Sequence, residues 1–190
     1  GGEPRALTND RDSYEDPDFT PDGKTLLVGM KKGGDGKTYH HGRLASFPWP
    51  FAAAKRTVLS ATLDRSMTKF AASPDSRTVY FTAETGHVIQ LYSVATTGGE
   101  IRAHEFAPAG VISGLATAGH ALIASIDRAA RPPEIARIDP TANRVHALTK
   151  FNDAKVAQLD LPALEHFTFT SPRGRTIHNL LVRPANFDAA

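Results

Sequence analysis

Cysteine is missing from all 190 residues, which excludes disulfides and thiolate metal sites. The absence fits a reducing compartment, and equally a periplasmic protein that avoids misoxidation, so the compartment stays open between bacterial cytoplasm and periplasm. No apolar run approaches the ~20 residues of a membrane span, and no membrane partner is expected. There is no Asn-x-Ser/Thr sequon. A dominant charge is lacking too: 22 basic side chains face 20 acidic ones, for a net charge of +2. That balance argues against a nucleic-acid partner, although the sequence pI is 9.0. The short basic clusters Lys31-Lys32 and Arg173/Arg175 read as solvated turns.

Familiar catalytic motifs are also absent. No Gly-x-Ser-x-Gly occurs, and the nearest approach, Gly110-Val-Ile-Ser-Gly114, has the wrong spacing. Gly36-Lys37-Thr38 imitates the end of a phosphate loop, but position 31 holds Lys where that motif needs Gly; Gly33-Gly-Asp-Gly36 reads as a type I′-like turn. Asp10-Arg-Asp-Ser-Tyr-Glu-Asp imitates a calcium loop, yet its sixth position is Glu15 and its twelfth Pro21, so a solvated loop is expected. His40 and His41, if on a strand, point to opposite faces and cannot share a metal. The six other histidines form no His-x-x-x-His pair. The expectation is no metal and no cofactor, and a Ser-His-Asp triad assembled from scattered strands stays open, although no motif positions one.

What is present is a repeat. Asp18-Phe-Thr-Pro-Asp-Gly-Lys-Thr-Leu-Leu-Val28 returns as Phe70-Ala-Ala-Ser-Pro-Asp-Ser-Arg-Thr-Val-Tyr-Phe81, the Pro-Asp pairs lying 53 residues apart. A weaker copy is Gly114-Leu-Ala-Thr-Ala-Gly-His-Ala-Leu-Ile-Ala124, whose Gly119 follows Ser76 by 43 residues. Periods of about 40–50 residues suggest propeller blades. Pro presets φ, Asp bonds its own backbone and Gly accepts positive φ, so Ser/Thr-Pro-Asp-Gly/Ser closes a hairpin. The flanks are β-formers. In Val88–Val94, Val88, Tyr92 and Val94 share one face and Ile89 and Leu91 the other, as in a strand buried on both sides.

The pattern predicts three four-stranded units. The first uses 17–20, 25–30, 39–47 and 56–60; the second 66–72, 78–83, 88–94 and 101–106; the third 111–116, 121–126, 134–138 and 144–148. Only single helical turns are expected, at 52–55 and 153–159. The fold class is all-β, a partial β-propeller. Three blades do not close a ring, and Gly1-Gly2-Glu3-Pro4 resembles neither an initiator Met nor a signal peptide, so truncation at both ends is expected.

Two segments carry a family resemblance. Pro133-Glu-Ile-Ala-Arg-Ile-Asp139 with Leu148-Thr-Lys-Phe-Asn152 is similar to the last propeller blade of dipeptidyl-peptidase and acylaminoacyl-peptidase members of the prolyl oligopeptidase family of serine peptidases. Glu165-His-Phe-Thr-Phe-Thr-Ser-Pro-Arg-Gly-Arg-Thr-Ile-His-Asn-Leu-Leu-Val-Arg-Pro-Ala-Asn-Phe-Asp188 resembles the start of their hydrolase domain. Asp64-Arg-Ser66 and Gly98-Gly99 also sit where that family places comparable residues. Ser76 departs from the usual Gly of the second hairpin, and the third hairpin, at Ala118-Gly119, lacks Pro-Asp.

The resemblance implies that residues 1–160 are the C-terminal part of a propeller domain. It also implies that 161–190 are a linker and the first β-hairpin of an α/β-hydrolase (peptidase) domain, with Phe167 and Phe169 on one face. The triad serine, histidine and aspartate would lie in the rest of the polypeptide, the chief partner. The propeller would gate short peptide substrates, cleaved from the amino end. Within this chain Asp64 and Arg65 are the substrate-facing candidates, since Arg could pair with a peptide carboxylate or carbonyl; the competing role is an Asp–Arg pair tying adjacent blades. Two other readings are a TolB-like protein-binding propeller without catalysis and a partial propeller completed as a homo-oligomer through its exposed edges.

Overall fold

The computed structural model describes residues 2–106, 110–184 and 187. The first blade comprises β1 (Ser13–Phe19), β2 (Thr25–Lys31), β3 (Arg43–Pro48) and β4 (Thr57–Val58), antiparallel in that order. The second comprises β5 (Met67–Ala72), β6 (Thr78–Thr85), β7 (Val88–Ala95) and β8 (Arg102–His104); the third, β9 (Val111–Ala118), β10 (Ala121–Arg128), β11 (Arg131–Asp139) and β12 (Arg144–Ala147). Among the described residues one parallel pairing, Ile89 with Val111, joins the second and third blades into one eight-stranded sheet. After one helical turn, α1 (Asp153–Val156), the chain forms a separate hairpin of β13 (Leu164–Thr170) and β14 (Thr176–Val182). No helix among the described residues is long and apolar enough to cross a membrane.

The repeated Pro-Asp hairpins share one set of bonds. Thr20 Oγ1 donates to Asp22 Oδ1 at 2.7 Å and accepts from the Thr25 amide at 3.1 Å, while Lys24 N donates to Asp22 Oδ1. One blade on, Ser73 Oγ donates to Asp75 Oδ1 at 2.6 Å and accepts from Thr78 N at 2.9 Å, with Arg77 N on Asp75. Each turn then needs a left-handed residue, Gly23 at φ 68° and Ser76 at φ 60°. Serine there is strained, but its Oγ accepts the Asp22 amide at 3.0 Å and so links the two hairpins. That bond offsets the departure from glycine.

Alternation sends each strand's apolar residues to two cores. Leu27, Leu44 and Leu59 of the first blade meet Val79, Phe81, Tyr92 and Val94 of the second. The opposite face of the second blade brings Leu91 and Ala71, with Tyr80 and Ile89 beside them, against Ile112, Leu122, Ile126 and Ile138 of the third. The middle blade is therefore buried on both faces, as the pattern in Val88–Val94 predicts. Phe81 and Tyr92 stack at 5.6 Å between centroids.

The expected strands differ in detail. The first begins at Ser13, earlier than the Pro17 expected, and carries a bulge between Glu15 and Asp18, with Asp16 at φ 50°. Residues 13–16 are strand and not loop, and the exposed lead-in is held in place: Arg56 Nη1 donates to Asp10 Oδ2 (3.1 Å), to Asp12 Oδ2 (2.9 Å) and to the Tyr14 hydroxyl, which itself donates to Asp10. Burial, foremost, pushes the Tyr14 phenol up to about 12. The third strand starts at Arg43 where Tyr39 was expected, because 32–42 is a glycine-bearing loop. Within it Gly34 and Gly36 have positive φ but Asp35 does not, so it is not a type I′ turn, which needs two consecutive residues there. His40 and His41 lie in that loop rather than on a strand.

Candidate functional site

A cavity of about 380 Å³ lies where the second blade, the third blade and the hairpin meet. Its walls include Arg65, His87, Gln90, His104, Ile126 and His178. Gly86-His87 is the two-residue loop between β6 and β7, with Thr85 paired to Val88. Gly86 takes φ 60°, the pattern of a tight hairpin with glycine first, and this fixes His87 at the tip.

His104, on β8, is buried. Its Nε2 lies 2.8 Å from Ser93 Oγ and its Nδ1 3.1 Å from the carbonyl of Pro140. A carbonyl only accepts, so Nδ1 carries the proton and Nε2 accepts from serine. The ring thereby ties the second blade to the β11–β12 turn. Burial, above all, pulls its pKa below the ordinary histidine value, and Arg102 adds to this.

Arg65 lines this cavity, exposed, immediately before β5. Asp64 points elsewhere: its Oδ1 lies 3.2 Å from His41 Nε2, and His41 Nδ1 lies 3.2 Å from Ser66 Oγ, which also accepts the Gly42 amide. The two candidates are thus separated, and Asp64 pairs with His41, not Arg65. Asp64, His41 and Ser66 are triad residue types, but the carboxylate faces Nε2 and the hydroxyl Nδ1, the reverse of a catalytic triad. The hydroxyl is engaged with backbone and the aspartate is fully exposed. The cluster fastens the loop before β3 to the start of β5.

A histidine grouping escaped the sequence because its members are remote in the chain. His87 from the β6–β7 tip meets His166 on β13 and His178 on β14, with ligand nitrogens within 4.8 Å of one another. His166 Nε2 and His178 Nδ1 are 3.0 Å apart, and the His87 ring stacks on His166 at 3.9 Å between centroids. Desolvation first, then the neighbouring imidazoles, lower the His166 pKa. Only a fold that brings the hairpin against the second blade reveals this set.

The motif at Pro133-Glu134 and Leu148-Thr-Lys-Phe-Asn152 is structural. Glu134 accepts the Thr149 hydroxyl, the Asn152 amide at 2.8 Å and Asn152 Nδ2 at 3.0 Å, while Thr149 Oγ1 accepts the Ile135 amide. These donors, the Thr149 hydroxyl foremost, hold the Glu134 carboxyl below its usual range. The motif clamps the chain as it leaves the third blade.

No family model matches the chain. Over 183 residues it is 26% identical to dipeptidyl-peptidase 5 of Porphyromonas gingivalis, covering 93% of this chain and 25% of that protein. Acylaminoacyl peptidase of Pyrococcus horikoshii superposes with a TM-score of 0.67 at 21% identity, over 86% of this chain and 24% of that one. The chain is similar to a propeller segment of the prolyl oligopeptidase family. It spans about a quarter of the length of these peptidases. TolB of Acinetobacter baumannii shares the fold as well, with a TM-score of 0.58 at 19% identity over 99% of this chain and 42% of its own. The β13–β14 hairpin stands apart from the blade sheets. It pairs with no blade, and Phe167, Phe169, Ile177 and Leu181 of one face are exposed, Phe167 at 49% and Phe169 at 51%. Of the segment resembling the hydrolase start, Ala185, Asn186 and Asp188 lie outside the described residues.

Proposed function

We propose that this chain is the substrate-gating propeller side of a serine peptidase, with residues 1–160 as blades and 161–190 leading into an α/β-hydrolase domain of the same polypeptide. The observation that carries this reading is the hairpin. A strand that closed a propeller would join a blade, whereas among the described residues β13 and β14 pair only with each other. Their exposed apolar face is of the kind that packs against another layer, here the rest of the hydrolase domain.

On this reading the chain holds no triad member and is inactive alone. The nucleophilic serine, its histidine base and the orienting aspartate belong to the hydrolase domain. The cavity beside the hairpin is, on this reading, the one that opens toward that domain. Arg65 there offers a guanidinium to a peptide carbonyl or carboxylate, while Asp64 positions the 32–42 loop through His41. Burial of the active site under the blades admits short or unstructured peptides, cleaved from the amino end.

The native protein, incubated with short amino-terminal peptide substrates and with a folded protein, should cleave the first and spare the second. The TolB likeness supports a second reading, a protein-binding propeller without chemistry. Cleavage of neither substrate would favour it.

A further inference from the structure

We propose that His87, His166 and His178 form a site for a divalent transition-metal ion of the zinc class, stapling the β13–β14 hairpin to the β6–β7 turn. Two features of the backbone converge on it, the hairpin register and the β6–β7 turn. Thr168 pairs with His178 and Leu180 with His166, so the two hairpin histidines are diagonal neighbours on one face, close enough for their rings to meet. His87 is set opposite them by the two-residue turn. Gly86 supplies the φ of 60° that this turn requires, and the turn lies against His178, since a Cβ at Gly86 would be in ordinary contact with His178 Nδ1 at 3.4 Å.

The distances suit the ion. Zinc–imidazole bonds of about 2.0–2.1 Å in a tetrahedral shell place ligand nitrogens roughly 3.3 Å apart. His166 and His178 stand at 3.0 Å, and all three ligand atoms fall within 4.8 Å. Imidazole lone pairs lie in the ring plane, so the stacked rings must fan apart by side-chain rotation to aim at one point. All three side chains are exposed, and core packing does not oppose that rotation. An all-imidazole donor set selects zinc, copper, nickel or cobalt over calcium or magnesium. No carboxylate joins the group among the described residues, which leaves the fourth position to water or another ligand.

The staple has a structural purpose. A two-stranded hairpin is marginal by itself, and this one has little buried apolar surface, its residues being almost all exposed. One ion bonded to residues 87, 166 and 178 would fix its position on the blades. The inference stands whether or not the peptidase reading holds.

The test is calorimetric titration of the chelator-stripped native protein with Zn²⁺, repeated with Co²⁺ to read ligand geometry from its visible spectrum. The expected result is one saturable site, weakened by more than about 100-fold in His87→Ala, His166→Ala and His178→Ala, since even outer-shell changes cost 10–100-fold. Zn²⁺ should also slow amide exchange across 164–182 in the wild type but not in His166→Gln, a conservative exposed change that keeps the fold. The proposal is overturned if Zn²⁺ does not bind saturably, or if it binds the triple-alanine variant as tightly as the wild type. In either case the three rings are only a stacked, hydrogen-bonded cluster.

Discussion

Asn152 gives both its backbone and its side-chain N–H to one carboxylate oxygen of Glu134, at 2.8 and 3.0 Å. The contact joins the second strand pair of the last blade to the segment that leaves it. Thr149 completes the clamp by bonding Glu134 and accepting the Ile135 amide. Glu134→Gln should therefore lower the melting temperature, and Thr149→Val should do likewise. The double variant should cost less than the two changes added, because both break one network. The folded-state pKa of Glu134 is depressed, so its contribution is present above the unfolded carboxyl pKa and is lost as pH falls through the folded value. The Glu134→Gln deficit should shrink as pH falls below the ordinary carboxyl range, as thermal melts at several pH values would show.

Phe81 is 0% exposed, stacked on Tyr92 and packed between the first and second blades. Phe81→Ala removes that burial and leaves a cavity, at a cost of about 3–5 kcal/mol. Urea unfolding should show the loss as a lower midpoint with an unchanged slope. A change under about 1 kcal/mol would mean that the two blades do not share this core.

His104 makes stability depend on pH in one direction. Burial depresses its folded pKa below the unfolded value near 6.5, so the unfolded state binds more protons as pH falls. Its contribution is complete above about pH 6.5 and declines as pH drops through the lower, folded pKa. Between about pH 8 and pH 5, the wild type should lose more stability than His104→Asn, measured by denaturant midpoints. Equal losses would remove this ring from the account.

Arg65 stands free of the core at the cavity rim. In the native protein Arg65→Ala should leave the melting temperature within about a degree, because exposed substitutions usually shift stability by less than 0.5 kcal/mol. It should raise KM for short peptides several-fold with a smaller effect on kcat. An unchanged KM would return Arg65 to the role of a solvated side chain.

Blade architecture was legible because its signals are local. Pro21-Asp22 and Pro74-Asp75 fix their own turns within five residues, and Val88–Val94 shows both buried faces in its alternation. Two of the strand ends are decided by tertiary contacts that no local pattern shows: Arg56 draws Asp10, Asp12 and Tyr14 onto the first blade, and His41 is held by Asp64 and Ser66 outside β3. The motif around Glu134 was visible as a resemblance, but its role as a clamp depends on 15–18 residues of intervening hairpin. The histidine set was invisible, since His87 is separated from His166 by almost half the chain. No local spacing rule finds ligands brought together by a hairpin docking on a turn.

The central claim is that these blades serve a serine peptidase, and fluorophosphonate labelling of the native gene product on a denaturing gel tests it most directly. The account predicts a labelled band far heavier than 20.4 kDa, carrying this sequence together with a reactive serine. A native product of about this size that takes no label would contradict it and leave a binding propeller.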